Sequence, residues 1–210
     1  MRIKKITLLL CILLIFSCKR DTTQQPDERI QRWLDYYELT LSDFEEDDQQ
    51  AIPYRIKQEF DSSDFELHKS LFIYNSDSTM AIDIDSYHLV LERLQDGNLY
   101  SAGRNVDMEA SLIDFEKSIR TRLLFCGPAC LFEEAAFSPE GIITVSGFSD
   151  NNNGFTPVMW KIDQDLLTVK LLSSPQVFQP SDIRYNHDKR LDQIHFRFDP
   201  DDFHHLDVPL

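Results

Sequence analysis

From Glu66 onward the apolar residues recur with a period of two, which excludes a helical bundle and selects a strand-built fold. Met80, Ile82 and Ile84 alternate with Ala81, Asp83 and Asp85, and Ile119, Thr121, Leu123 and Phe125 alternate with Arg120, Arg122 and Leu124. Further strands are predicted at 87–94, 99–104, 110–114, 142–148, 157–163, 167–172 and 193–198. Asp96-Gly97-Asn98 is a hairpin turn signal between two of them. Many short strands with no helices between them predict a mainly β fold of antiparallel, curved or blade-like sheets.

Only the region before Glu66 carries a helical pattern. Asp27 can cap a helix whose Ile30, Trp33, Leu34 and Tyr37 share one face, ending near Leu39 to Ser42. Trp33 is expected in the core of that face and not at a ligand. Residues 52–60 read as a second short helix or as irregular chain, with Pro53 at the start.

A different pattern occupies residues 1–17. Arg2, Lys4 and Lys5 precede an apolar run at 6–16, which as a helix at ~1.5 Å per residue is about half the thickness of a bilayer core. That is the length of a signal-peptide core, not of a span. The run closes on Ile15, Phe16, Ser17 and Cys18, which resembles the lipobox of bacterial lipoproteins. The resemblance implies cleavage before Cys18 and a diacylglyceryl group on its thiol. It also implies a place in the cell envelope, outside the cytoplasm, tethered to a membrane through that lipid. The expected organisation is a leader at 1–17, a tether at 18–27 and a single domain at 28–210.

Loss of the leader removes three basic residues, leaving 18 Lys+Arg against 36 Asp+Glu, a formal net charge of −18 where the whole chain has −15. Such a surface repels phosphate backbones, so no nucleic-acid partner is expected. It also repels anionic headgroups, which leaves the lipid as the expected membrane contact.

With Cys11 in the leader and Cys18 acylated, only Cys126 and Cys130 remain, in Cys126-Gly127-Pro128-Ala129-Cys130. Outside the cytoplasm they are expected to form a local disulfide across a tight turn, worth at most ~1–2 kcal/mol by loop entropy. The segment looks like the Cys-Gly-Pro-Cys of thioredoxins with one residue too many and no helix after it, so a redox role is not expected.

There is a faint internal repeat. Residues 71–84 align with 136–145, and 110–124 with 158–172, each unit reading as strand, turn, strand, then a hairpin. The units resemble blades of WD40-like and TolB-like β-propellers, with Ser138-Pro139-Glu140-Gly141 as the blade turn and Asp163 ending a later strand. A propeller needs at least four blades of ~40–45 residues. Two units and a helical start do not supply them, so a full propeller is not expected.

The remaining chemistry is sparse. In EF-hand register the 150–154 stretch puts Gly154 sixth and Trp160 twelfth, where a bidentate Glu is required, so the motif fails. Asp202, His204, His205 and Asp207 in the tail contain metal-binding residue types, but adjacent histidines on an extended chain point apart. His187 and His195 are single in sequence. Asp83 and Asp85 are placed to meet Glu109 or Asp114 across strands, with no catalytic role assigned. There is no phosphate loop, nucleophile elbow or zincin helix. The expectation is a non-enzymatic envelope module that binds a protein or a glycan and needs no cofactor or metal. The alternatives are a hydrolase with a dispersed site and a cation-binding structural module.

Overall fold

A computed structural model of the protein describes residues 26–47, 50–51, 56–166 and 168–196. Residues 1–17, expected to be a leader, Cys18 and the tail residues Asp199 to Asp207 lie outside them.

Helix α1 (Glu28–Tyr36) begins where the sequence predicts: the Asp27 carboxylate accepts from the Arg29 N–H at 2.9 Å. It stops earlier than expected. Leu39 N–H reaches back to Leu34 C=O at 2.8 Å, and Glu38 takes φ +56°, a left-handed helix end. Leu34 and Leu39, both buried in one cluster, clamp that turn.

The strands in chain order are β1 (Glu45–Glu46), β2 (Gln50–Ala51), β3 (Lys57–Glu59), β4 (Ile73–Tyr74), β5 (Met80–Asp83), β6 (Leu89–Arg93) and β7 (Leu99–Arg104). Then follow β8 (Met108–Asp114), β9 (Ile119–Cys126), β10 (Cys130–Phe137), β11 (Ile142–Asp150), β12 (Phe155–Asp163), β13 (Thr168–Ser173) and β14 (His195–Phe196). At 57–59 the chain is a strand, correcting the reading of 52–60 as helix or irregular. Its side chains are exposed, so backbone pairing to β9 forms it and no hydrophobic period announces it.

One sheet runs β3-β9-β8-β5-β4 and a second runs β1-β13-β12-β11-β10, with β2 also on β13. Every pairing in both is antiparallel. Stripped of its N-terminal edge strand, each sheet is a four-stranded meander: β4-β5-β8-β9 and β10-β11-β12-β13. The internal repeat in the sequence is thus a repeat of strand order. The first meander carries an insertion, the β6–β7 hairpin, which turns at Asp96-Gly97-Asn98 as expected and pairs with β14 as a third, small sheet. The sheets are open and form no closed barrel or propeller.

The two large sheets meet face to face. Ile82, Ile84, Met108 and Leu112 of the first pack with Phe132, Ile143, Val145 and Ile162 of the second. The outer face of the second sheet is covered by α1, where Trp33 and Leu34 meet Phe148, Met159 and Leu172. The outer face of the first is covered by Phe65 and Phe72. Central strands are therefore buried on both sides, which is why Asp83 and Asp85 are as buried as the alternating Ile82 and Ile84. Each fully buried Ile or Leu contributes roughly 1.5–3 kcal/mol of hydrophobic stabilisation.

Cys126 and Cys130 form a disulfide with Cα atoms 5.9 Å apart. It spans the turn from β9 to β10, where the chain passes from one sheet to the other.

A candidate ligand cleft between helix α1 and a π-turn

In the middle of β10 stand two consecutive acids, Glu133 and Glu134, both essentially inaccessible. Neighbours on a regular strand face opposite ways. Here the register slips: Phe132 pairs with Gly147 and Glu134 with Ser146, so Glu133 is the extra residue of a β-bulge. The bulge needs Gly147 opposite it, because a Cβ there would stand 1.9 Å from the Leu131 carbonyl oxygen. The bulge draws both carboxylates to hydrogen-bond partners on α1, the residue after it and the C-terminal segment.

Glu133 Oε2 accepts from Trp33 Nε1 at 2.9 Å and from the Tyr37 hydroxyl at 2.8 Å. The Tyr37 oxygen accepts in turn from the Tyr185 N–H at 3.1 Å. Tyr185 donates its own hydroxyl to Glu134 Oε2 at 2.8 Å, and Arg29 stands 3.6 Å from Glu134 Oε1. After Tyr185 the chain makes one π-turn, Asn186–Arg190, closed by Leu191 N–H to Asn186 C=O at 2.7 Å. Asn186 Nδ2 donates to the Phe132 carbonyl beside the bulge at 3.2 Å, and Arg190 Nε donates to Asn186 Oδ1 at 2.9 Å. The Arg190 fork then closes on Asp85 at 2.5 and 2.6 Å. One connected network ties α1, β10, the π-turn and the first sheet together.

Burial dominates its electrostatics. The Glu133 carboxyl is pushed up to about 7, against the pull of Trp33 and Tyr37. Burial also raises the Tyr37 and Tyr185 hydroxyls, and nearby Glu133 and Glu134 respectively add to it. At Asp85 burial opposes the charge, but Arg190 overcomes it and holds the carboxyl below the usual range. Arg190 itself is held above its usual range by Asp85, against burial.

Above this network lies a cleft of about 590 Å³. Glu134, Tyr185 and Arg190 form its floor. Arg29, Arg32 and Asp35 of α1 line one wall, and Lys189 the other. Tyr36 lines it too, its hydroxyl donating to Asp188 at 2.5 Å and its ring set edge-on to Tyr37 and Tyr185. Bulges and π-turns are both enriched beside functional sites, and here the two meet under one cleft. Its size is that of a small-molecule site.

The residues singled out in the sequence fall elsewhere. Trp33 is core, as expected, and additionally fixes Glu133. Asp83 and Glu109 do come together, through Arg120 at 3.4 and 3.0 Å, whereas Asp85 goes to Arg190 and Asp114 to Lys117. Arg120 also lines a smaller cavity of about 290 Å³ with Phe60, Phe65, His68 and Ser86. There Ser86 Oγ donates to Asp83 and His68 Nε2 lies 3.0 Å from the Leu89 carbonyl, so each is engaged away from the other. The 150–154 loop closes on itself: Asp150 and Asn151 side chains accept from Asn152 and Asn153 N–H at 2.8 and 3.0 Å. His187 contacts its neighbour Asp188 at 2.8 Å. His195 is exposed on β14. Among the described residues no group of three or more His, Cys, Asp or Glu side chains is arranged to hold a metal ion.

Glu133, Glu134, Tyr185, Asn186 and Arg190 were not legible as a set. The available signal was an acidic pair inside the apolar run Leu131 to Phe137, facing a glycine in the next strand. No family model matches the chain, and neither curated proteins nor solved structures give a significant match.

Proposed function

We propose that the protein is an exported envelope lipoprotein, tethered through Cys18, that acts as a non-enzymatic binding module with the cleft between α1 and the π-turn as its ligand site. The carrying observation is the convergence of the β10 bulge and the π-turn on one buried network that fixes the cleft floor. Five hydrogen bonds hold Tyr185, Asn186 and Arg190 to elements far away in sequence. A pre-organised site of this kind loses little entropy on binding. The Cys126–Cys130 disulfide supports the compartment, since such bonds persist outside the reducing cytoplasm.

The test is hydrogen exchange on the full chain with and without solubilised envelope material. Protection is expected at 28–37 and 185–191. Protection confined to other segments, or none at all, would sink the cleft. For the tether, Cys18→Ser should move the protein to the soluble fraction, and retention on the membrane would refute lipid anchoring.

A second reading, a hydrolase, has one observation in its favour, the presence of Ser86 and His68 in the smaller cavity. It predicts that a broad fluorophosphonate probe labels Ser86.

A further inference from the structure

Taking the cleft as the ligand site, we infer that its ligand is an acidic saccharide, a sugar ring bearing a carboxylate. Three features of the walls together point to that class.

The first is charge. The chain carries 36 acidic against 21 basic residues. The walls nonetheless present Arg29, Arg32 and Lys189, with Asp35 as their acid. Arg190 belongs to Asp85 and Arg29 is loosely held, 3.6 Å from Glu134, so the cations facing the space come from both walls. In an acidic molecule this is a local attraction for an anion, and a guanidinium takes a carboxylate as a planar fork.

The second is an immobilised aromatic wall. Tyr36 is half-buried, pinned by Asp188 at its hydroxyl, with the Tyr37 and Tyr185 rings set T-shaped against it at centroid distances of 4.9 and 5.5 Å. A cleft-lining aromatic side chain held in this way costs little entropy to order when a sugar ring packs against it.

The third is the mixture of acceptors with those cations. Asp35 presents its carboxylate to the same space from an exposed position, while Glu134 lies buried beneath it, its oxygens taken by Tyr185 and the Ala135 N–H. A bare phosphate would use the cations and be repelled by the acids. An apolar ligand would use neither. A polyhydroxylated ring with one carboxylate uses all three: carboxylate to Arg32 and Lys189, hydroxyls to Asp35, ring against Tyr36.

The experiment uses the full chain in nonionic detergent. It is titrated with a short oligogalacturonate, with the same oligosaccharide after reduction of its carboxyls to alcohols, and with polyglutamate. The oligogalacturonate should bind at least roughly tenfold tighter than either of the others, as expected for loss of a charge-assisted hydrogen bond or of the ring contacts. Its affinity should fall as salt is raised. Arg32→Gln with Lys189→Gln should abolish binding; because Arg32 also bonds the Tyr185 hydroxyl, Lys189→Glu alone, at an exposed side chain, should weaken binding at least several-fold with the near-ultraviolet circular dichroism unchanged. Equal binding of the reduced sugar overturns the acidic half of the inference, and equal binding of polyglutamate overturns the saccharide half. Failure of all three probes overturns the inference entirely, and the exchange experiment above then decides separately whether the cleft is a ligand site.

Discussion

Glu133→Gln separates the charge of that residue from its shape. A glutamine oxygen can still accept from Trp33 and Tyr37 where Glu133 Oε2 does now. Its amide would occupy the site of Oε1, which is buried without a hydrogen-bond partner, so the variant carries a penalty of about 1–3 kcal/mol that does not change with pH. The wild type behaves differently. The folded carboxyl sits at about 7, against 4.5 for an unperturbed glutamate. Because the folded value is the higher one, the native state keeps its proton longer than the unfolded state. Stability from this residue is complete below pH 4.5 and is lost as pH rises to 7. The interval corresponds to about 3 kcal/mol at 1.36 kcal/mol per pH unit. Urea midpoints of both proteins at pH 4.5, 6 and 8 measure it. The wild type should lose about 3 kcal/mol relative to the variant across that range. Parallel pH profiles, or a wild type that gains on the variant as pH rises, would refute the buried-acid argument.

Other changes test the scaffold. Gly147→Ala forces a Cβ onto the Leu131 carbonyl, and thermal melts should show a loss of about 2 kcal/mol or more. Arg190→Ala strands the Asp85 carboxylate in the interior and should cost about 3–5 kcal/mol, whereas Arg190→Met with Asp85→Leu should recover most of it. Cys126→Ser with Cys130→Ser should lower stability by only ~1–2 kcal/mol, read from urea midpoints with and without reductant.

Much of the architecture could be read from residues. Asp27 as a cap, the turn at Asp96-Gly97-Asn98 and the pairing of Cys126 with Cys130 are local chemistry, and local chemistry is visible in sequence. The early end of α1 was hidden because Glu38, not glycine, takes the left-handed turn. β3 was hidden because its exposed Lys57, Gln58 and Glu59 carry no period; its partner lies across the sheet. The cleft was hidden for a third reason. An acidic pair in a strand reads as a solvent face, and only the bulge and the long-range donors Trp33, Tyr37 and Tyr185 make Glu133 and Glu134 tolerable inside. None of those donors is near them in sequence.

The short edge strands bear on how the chain is assembled. Glu45 pairs with Ser173, and Lys57 with Thr121. The segments made first thus wait for the last strand of each meander before they have anything to pair with. A nascent chain can close the β3 edge once residues near 121 have been delivered, whereas the β1 edge waits for residues near 173, so the two outer seams close one after the other, each after the meander it borders.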